Sequence, residues 1–137
     1  MSSLHQYFAR LQDTLLSRKE IEVQSINIRE NDPVKDEGRF SARVSFYDES
    51  SLEAHEKVTF EDGDVVKDRY SYHYQKSDNS LAFRYDNAPH HPEIETHPHH
   101  KHVGSDENVI AAQPPDLSEV LKEIDDFLYI QDTKNKR

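Results

Sequence analysis

Apolar residues recur along the chain with two different periods, and these periods predict its secondary structure. Between residues 3 and 18 the apolar positions fall on one helical face, at Leu4, Tyr7, Phe8, Leu11 and Leu15. Residues 116–130 show the same spacing, with Asp116 as the expected N-cap and Glu119 completing a capping box. The sequence therefore predicts one helix before and one helix after the central segment.

The segment from residue 21 to residue 85 alternates apolar and polar residues, which is typical of strands with one buried face. Short turn signals separate the runs, so consecutive strands are expected to pair antiparallel. The five predicted strands cover residues 21–28, 40–46, 52–60, 65–75 and 81–85. We therefore predict an α+β fold, a five-stranded antiparallel meander sheet with an N-terminal and a C-terminal helix packed on it. Residues 1–137 are predicted to form a single domain.

Residues 86–115 break both periods. They hold five of the six prolines and a cluster of six of the nine histidines. A connection of this length without an evident element is usually functional or mobile. We expect a His/Pro-rich functional loop between the sheet and the closing helix.

Composition narrows the function classes. The net charge of −10 opposes nonspecific binding to nucleic acids, because polyanions are repelled at long range. The absence of cysteine excludes disulfides and thiolate metal sites. Neither a membrane-spanning apolar run nor the pattern of a signal peptide is present, so we expect a cytoplasmic protein with no membrane partner.

The histidine cluster supports acid–base chemistry as a first hypothesis. Cleavage of RNA without a metal needs a base for the 2′-hydroxyl, an acid for the leaving oxygen and a cation for the developing charge. Histidine suits both proton transfers near neutral pH. The candidate catalytic residues are Arg84, His90, His99, His100 and His102.

A tyrosine-rich strand next to this segment suggests substrate binding. Tyr70, Tyr72 and Tyr74 share one face at period two, and His73 lies on the other face. Such a row is usually a half-buried sheet face, and the alternative is a platform on which unpaired bases stack. The candidate substrate-binding residues are Tyr72, Tyr74, His73 and Lys101.

Two other roles remain open for the same loop. We expect no cofactor, and the alternative is a zinc site. Its candidate ligands are His90, His97, His99, His100 and His102, although their spacing matches no standard zinc module. An H-x-H pair on an extended chain places both rings on one side, so His97/His99 and His100/His102 are both suitable pairs of ligands. A structural role is the second alternative, and Asp86 and Asn87 are expected to hold the loop by bonding its backbone.

Three motifs resemble one known family. They are Tyr72-His73-Tyr74-Gln75, the run RYDNAPH from Arg84 to His90, and the run PHHKH from Pro98 to His102. Together with the closing segment Leu117–Ile124, they resemble the TumE family, the toxin component of prokaryotic toxin–antitoxin systems. The resemblance covers roughly residues 20 to 130.

The resemblance implies a toxin that inhibits growth, and it suggests RNA cleavage as the activity. It further implies a cognate helix-turn-helix antitoxin as partner, with RNA and a second copy of the chain as further candidates. Combined with the residues above, it favours a metal-independent endoribonuclease. The alternative is a non-catalytic module that binds a metal or regulates another protein.

Overall fold

The computed structural model describes residues 3–19, 21–32 and 36–135. Its elements are α1 (Ser3–Leu16), β1 (Ile21–Asp32), β2 (Glu37–Phe46), β3 (Ser51–Glu61), β4 (Asp64–Gln75), β5 (Leu81–Asp86), β6 (His100–Val103), β7 (Val109–Ala111) and α2 (Leu117–Asn135). The predicted α+β class and both predicted helices are confirmed. None of the helices within the described ranges is long and apolar enough to cross a membrane.

The sheet is larger than the sequence predicted. Seven antiparallel strands lie side by side in the order in which they occur along the chain, and the sheet is open. The prediction of five strands was wrong because residues 86–115 contain β6 and β7. These two strands span only four and three residues, too few for an alternating pattern to stand out among histidines.

One face of the sheet packs against the two helices and forms the core. Helix α1 contacts β1 to β4, and α2 contacts α1 and β4. The strands bury alternate residues on this face, as β2 does with Phe40, Ala42, Val44 and Phe46. Of the apolar positions that the periodicity of the two helices predicted, Tyr7 is only partly buried and Phe127 is 39% exposed. The others are buried, at Leu4, Phe8, Leu11, Leu15, Leu117, Val120, Leu121, Ile124 and Leu128.

The second helix begins with the predicted capping box. Asp116 Oδ1 accepts a hydrogen bond from the backbone N–H of Glu119 at 2.8 Å, and Glu119 Oε1 accepts one from the N–H of Asp116 at 3.3 Å. The helix is anchored further along by Arg18, whose guanidinium contacts the Asp125 carboxylate at 2.5 and 2.6 Å. The capping box fixes the start of α2, and the Arg18 contact holds α2 to the segment between α1 and β1.

A carboxylate lies inside this core. Glu56 on β3 is buried and accepts hydrogen bonds from the hydroxyls of Tyr7 on α1 and Tyr72 on β4. Lys67 Nζ donates to Tyr72 Oη at 2.7 Å and to the carbonyl of Pro115 at 2.6 Å. Because an unpaired buried charge is costly, this network specifies how α1 and the start of α2 dock on the sheet.

The docking of α1 generates a stability prediction. In Gly38→Ala, the new Cβ would lie 2.7 Å from Phe8 Cε2 and 3.1 Å from the carbonyl oxygen of Arg29. Since both residue 38 and Phe8 are buried, we expect the variant to lose about 1–3 kcal/mol of unfolding free energy, measured by chemical denaturation. Phe8→Leu should relieve the clash, so the double variant should lose less than the sum of the two single losses. Additive losses would show that the Phe8 ring moves aside without strain.

Candidate functional site

The two faces of β4 carry different chemistry. Tyr72 and Tyr74 point into the core and expose 0% and 2% of their surface. Rings buried in this way cannot stack on a base, so the predicted substrate-binding role of these two tyrosines does not agree with the structure. Their burial fits the alternative, a structural sheet face. His73 lies on the opposite face, where it pairs in register with Arg84 of β5.

Strands β5 and β6 bring four of the candidate residues together. They do so on the face of the sheet that carries no helix in the described part of the chain, and we call this face the open face. The register pairs Arg84 with His102 and Asp86 with His100. The two histidines are neighbours on this face, as the H-x-H spacing predicted, with ring centroids 4.9 Å apart. Both are buried, with 2% and 5% exposed.

Asp86 lies at the centre of this group. Its Oδ1 is 2.9 Å from His100 Nε2, and its Oδ2 is 3.0 Å from Arg84 Nε and 3.5 Å from His102 Nε2. Oδ1 also accepts a hydrogen bond from the backbone N–H of Ala88 at 3.0 Å. The sequence suggested only the last of these roles, that of a residue bonding the loop. One carboxylate therefore links the start of the loop to three candidate catalytic groups.

Backbone carbonyls orient both histidines. His100 Nδ1 donates to the carbonyl of Pro98 at 2.9 Å, and His102 Nδ1 donates to the carbonyl of Asp106 at 2.9 Å. A carbonyl oxygen only accepts, so each Nδ1 carries a proton. The 2.9 Å contact of His100 Nε2 with Asp86 Oδ1 is a hydrogen-bond distance, which requires a proton between these two atoms. The 3.5 Å separation of His102 Nε2 from Asp86 Oδ2 requires none.

The surroundings of His102 favour its neutral form. Burial lowers the pKa of His102, and the positive charges of Arg84 and His100 act in the same direction. The Asp106 carbonyl and the Asp86 charge act in the opposite direction and do not reverse the effect. In its neutral form His102 presents an unprotonated Nε2 to the site. The neighbouring His100 can donate a hydrogen bond from its Nε2.

The loop of residues 87–99 covers this end of the open face. With the strands it encloses a cleft of about 440 Å³, lined by Arg69, Tyr70, Ser71, Arg84, Asp86, Ala88, His90, His91, His100 and His102. His91 approaches the buried pair, with ring centroids 5.0 Å from His100 and 5.8 Å from His102. His90 lies on the exposed rim, and His97 is exposed with Nδ1 3.1 Å from the His91 carbonyl.

Two of the predicted site residues lie on the other side of the sheet. His99 stacks on Tyr70, and its Nδ1 is 2.9 Å from the Tyr70 hydroxyl. Burial lowers the pKa of His99, with Lys67 and His100 acting in the same direction. Lys101 forms an ion pair with Glu123 of α2 at 2.6 Å. The structure therefore separates these two side chains from the cluster around Asp86.

Asn87 joins the loop to β4. Its Oδ1 accepts a hydrogen bond from the backbone N–H of Tyr70 at 3.0 Å, and its Nδ2 donates to the carbonyl of Asp68 at 2.9 Å. Both partners are backbone groups, as expected for a residue that holds a loop. These contacts fix the point at which the chain leaves β5 and turns over the cleft.

Three of the histidines could hold a metal ion. One ligand atom from each of His91, His100 and His102 lies within 4.8 Å of the others. In metal sites, ligating imidazoles usually donate their second N–H to a carbonyl or carboxylate, and the buried pair has this geometry. His90, His97 and His99, which the sequence offered as alternative ligands, are not in the group. His91 was not selected, because only the path of the loop brings it near β6.

A comparison with known proteins gives the chain a family. The family model described as "Toxin TumE" matches residues 12–131, which is most of the chain and includes the whole cleft. Among curated proteins and among solved structures, nothing matches. The chain therefore belongs to the TumE family of toxins, as the motifs around its histidine cluster predicted.

Proposed function

We propose that this TumE-family toxin inhibits growth by cleaving RNA in the cleft over β5 and β6. Family membership implies a toxin role and an antitoxin partner in general. The proposal adds that the antitoxin is of the helix-turn-helix type, that the toxin acts in the cytoplasm, and that cleavage needs no metal or other cofactor. The observation that carries it is the pair of oriented imidazoles sharing one carboxylate and one arginine.

The proposed chemistry assigns one role to each group. His102, with an unprotonated Nε2, takes the proton of an RNA 2′-hydroxyl, and the 2′ oxygen attacks the adjacent phosphorus. The bond from phosphorus to the 5′ oxygen breaks, and His100 supplies the proton that this oxygen needs. The products are a 2′,3′-cyclic phosphate and a 5′-hydroxyl.

Arg84 is proposed to stabilise the negative charge on the phosphorane. It now contacts Asp86 at 3.0 Å and Asp106 at 3.0 Å. The Asp106 side chain is 69% exposed, so a phosphate can take its place on the guanidinium. His90 on the rim and His73 beside Arg84 are proposed to contact the substrate. His99 and Lys101 are given no catalytic role, since they face the helices.

Substitution at the cleft tests this proposal. We expect His102→Ala and His100→Ala each to lower the rate of RNA cleavage by about 10²–10⁴-fold, because each removes one proton-transfer group. Arg84→Gln should produce a loss of comparable order. Expression of these variants without antitoxin should no longer inhibit growth. Cleavage would be measured on purified protein by the appearance of 2′,3′-cyclic phosphate ends.

The control is His5→Ala, which changes an exposed histidine on α1. It should cleave RNA and inhibit growth as the unchanged protein does. Thermal unfolding of every variant separates lost chemistry from lost folding. Full toxicity of folded His100→Ala and His102→Ala would overturn the assignment of the cleft, and RNA that stays intact with the unchanged toxin would overturn the cleavage proposal itself.

A second candidate function is a metal-binding or regulatory module. The clustering of His91, His100 and His102 favours it, and Asp86 could supply a fourth ligand because its carboxylate contacts both buried histidines. Zinc accepts nitrogen and oxygen ligands at about 2.0–2.2 Å in tetrahedral sites. On this alternative the imidazoles hold an ion rather than move protons.

Metal analysis separates the two functions. If the site is a zinc site, untagged protein that has been stripped by chelator and dialysed should take up one zinc ion per chain in titration calorimetry. His91→Ala should then bind zinc at least about tenfold more weakly, whereas His97→Ala, outside the cluster, should bind it normally. If unchanged protein takes up no zinc and cleaves RNA in the presence of chelator, the metal alternative fails.

A further inference from the structure

We propose that the open face of the sheet binds the sugar-phosphate backbone of single-stranded RNA along a row of four cations that leads into the cleft. The row consists of Arg29, Arg39, Lys57 and Arg69, one residue from each of β1 to β4, and we call it the basic row. This inference rests on the proposed function, since it supplies the surface that delivers RNA to His100 and His102.

The strand register creates the row. Arg29 pairs with Arg39, Arg39 with Lys57, and Lys57 with Arg69. Directly paired residues on adjacent strands point to the same face of a sheet, with strands about 4.8 Å apart. The four cations therefore form a line about 14 Å long, perpendicular to the strands. Like charges placed directly opposite one another destabilise a sheet, so the row has a cost that an anionic ligand would relieve.

The cations are available to a ligand. Arg29, Arg39 and Arg69 are exposed and Lys57 is half-buried. Among the described residues, none of the four has a carboxylate partner within ion-pair distance. This contrasts with the next cation on β2. Arg43 lies 3.9 Å from Glu53 of β3.

The acidic groups on this part of the open face lie beside the row and not within it. On β2 and β3 the same face carries Glu37 and Glu61 on one side of the row and Glu53 on the other. On β4 the Asp68 carboxylate accepts a hydrogen bond from the Thr59 hydroxyl at 2.5 Å. Glu53 lies 3.9 Å from both Arg43 and His55, so its charge is partly compensated. The basic row is therefore a local positive surface on a chain whose net charge is −10.

The row is continuous with the cleft. A groove of about 670 Å³ runs along it, lined by Asn27, Ile28, Arg29, Arg39, Phe40, Ser41, His55, Glu56, Lys57, Arg69, Tyr70 and Ser71. Arg69, Tyr70 and Ser71 also line the cleft that contains Arg84 and the histidines. In the register, Ser71 pairs with Asp86, and Asp86 pairs with His100. A strand of RNA lying on the row would therefore reach the cleft without leaving the sheet.

The chemistry of the groove favours RNA over an acidic protein. Beside the basic row, the open face of β1 to β4 presents Asn27, Ser41, His55 and Ser71. These side chains can hydrogen-bond to sugars and phosphates. A protein partner would need a desolvated apolar or aromatic anchor. Of the apolar residues that line the groove, Phe40 and Tyr70 are buried, and Ile28, which is 40% exposed, pairs with Phe40 and so faces the helix side of the sheet. Repeated cations at strand spacing suit a repeating polyanion.

Binding of a non-cleavable oligomer tests the row. The probe is a fluorescent, 2′-O-methylated RNA strand of about ten nucleotides, followed by anisotropy from about 50 to 200 mM salt. Arg39→Gln/Lys57→Gln should bind it about tenfold more weakly at low salt. The slope of log affinity against log salt should fall by about 1.4, since each phosphate contact on a single strand contributes about 0.7. Lys76→Gln/Lys122→Gln makes the same charge change at two exposed positions elsewhere and should bind normally.

The same proteins would be assayed for cleavage of unmodified RNA and of a dinucleotide, which separates the two proposals. If the basic row delivers RNA, the row variant should lose kcat/KM on long RNA and keep the unchanged rate on the dinucleotide. If the oligomer binds through the basic row but no RNA is cleaved, the RNA-binding surface is supported and the proposed ribonuclease activity is overturned. Equal binding of the oligomer by both double variants, or no binding by the unchanged protein at low salt, would overturn the proposed RNA-binding surface. Binding of an acidic antitoxin, instead of RNA, through the basic row would also overturn it.

Discussion

Within residues 3–19, 21–32 and 36–135, the sheet has helices on only one of its faces, and the organisation of the molecule depends on this constraint. Side chains alternate between the two faces, so each strand delivers one set of residues to the core and the other set to the open face. On β4 the core set is Tyr70, Tyr72 and Tyr74. The open set of the same strand is Arg69, Ser71 and His73. A shift of the register by one residue would exchange the sets, so the packing of the helices also determines which residues can meet a substrate.

The open face is not uniform, because the loop of residues 87–99 covers one end of it. Under that cover, Asp86, His100 and His102 are buried although their face carries no helix. A buried carboxylate is costly unless it is paired. Asp86 is paired with Arg84 and His100 and also bonds the backbone of Ala88. The residues that compensate the charge of Asp86 are also the residues proposed to cleave RNA. The same side chains are therefore needed both for stability and for the proposed chemistry.

Much of the fold could be predicted from residue spacing, and particular residues show which features could not. The helical stripes and the Asp116–Glu119 capping box are local signals, and the structure confirms them. Strands β6 and β7 were missed because pairing with β5 defines them and their own composition does not. The H-x-H spacing correctly placed His100 and His102 on one face, because both lie on β6. It failed for His97 and His99, which lie in the loop and contact the His91 carbonyl and the Tyr70 ring respectively.

The partners of these histidines could not be predicted. Asp86 and Asp106 approach the pair through strand pairing and through the turn between β6 and β7. His91 arrives through the path of the loop. The tyrosine row on β4 has the same spacing whether it stacks on bases or packs in a core. Only the position of the helices distinguishes the two cases, since Tyr72 is fully buried beneath them.

The acidity of the chain is compatible with an RNA substrate because the basic row and the carboxylates of α2 lie on different sides of the molecule. A net charge of −10 repels a polyanion at long range, but interactions between exposed charges are largely screened beyond about 8 Å at physiological salt. Carboxylates of α2, such as Glu119 and Asp126, lie behind the sheet on the helix-covered side. The basic row faces the opposite direction. An approaching RNA strand would then be repelled from the helices and attracted only at the open face, so the acidic composition would orient binding toward the cleft.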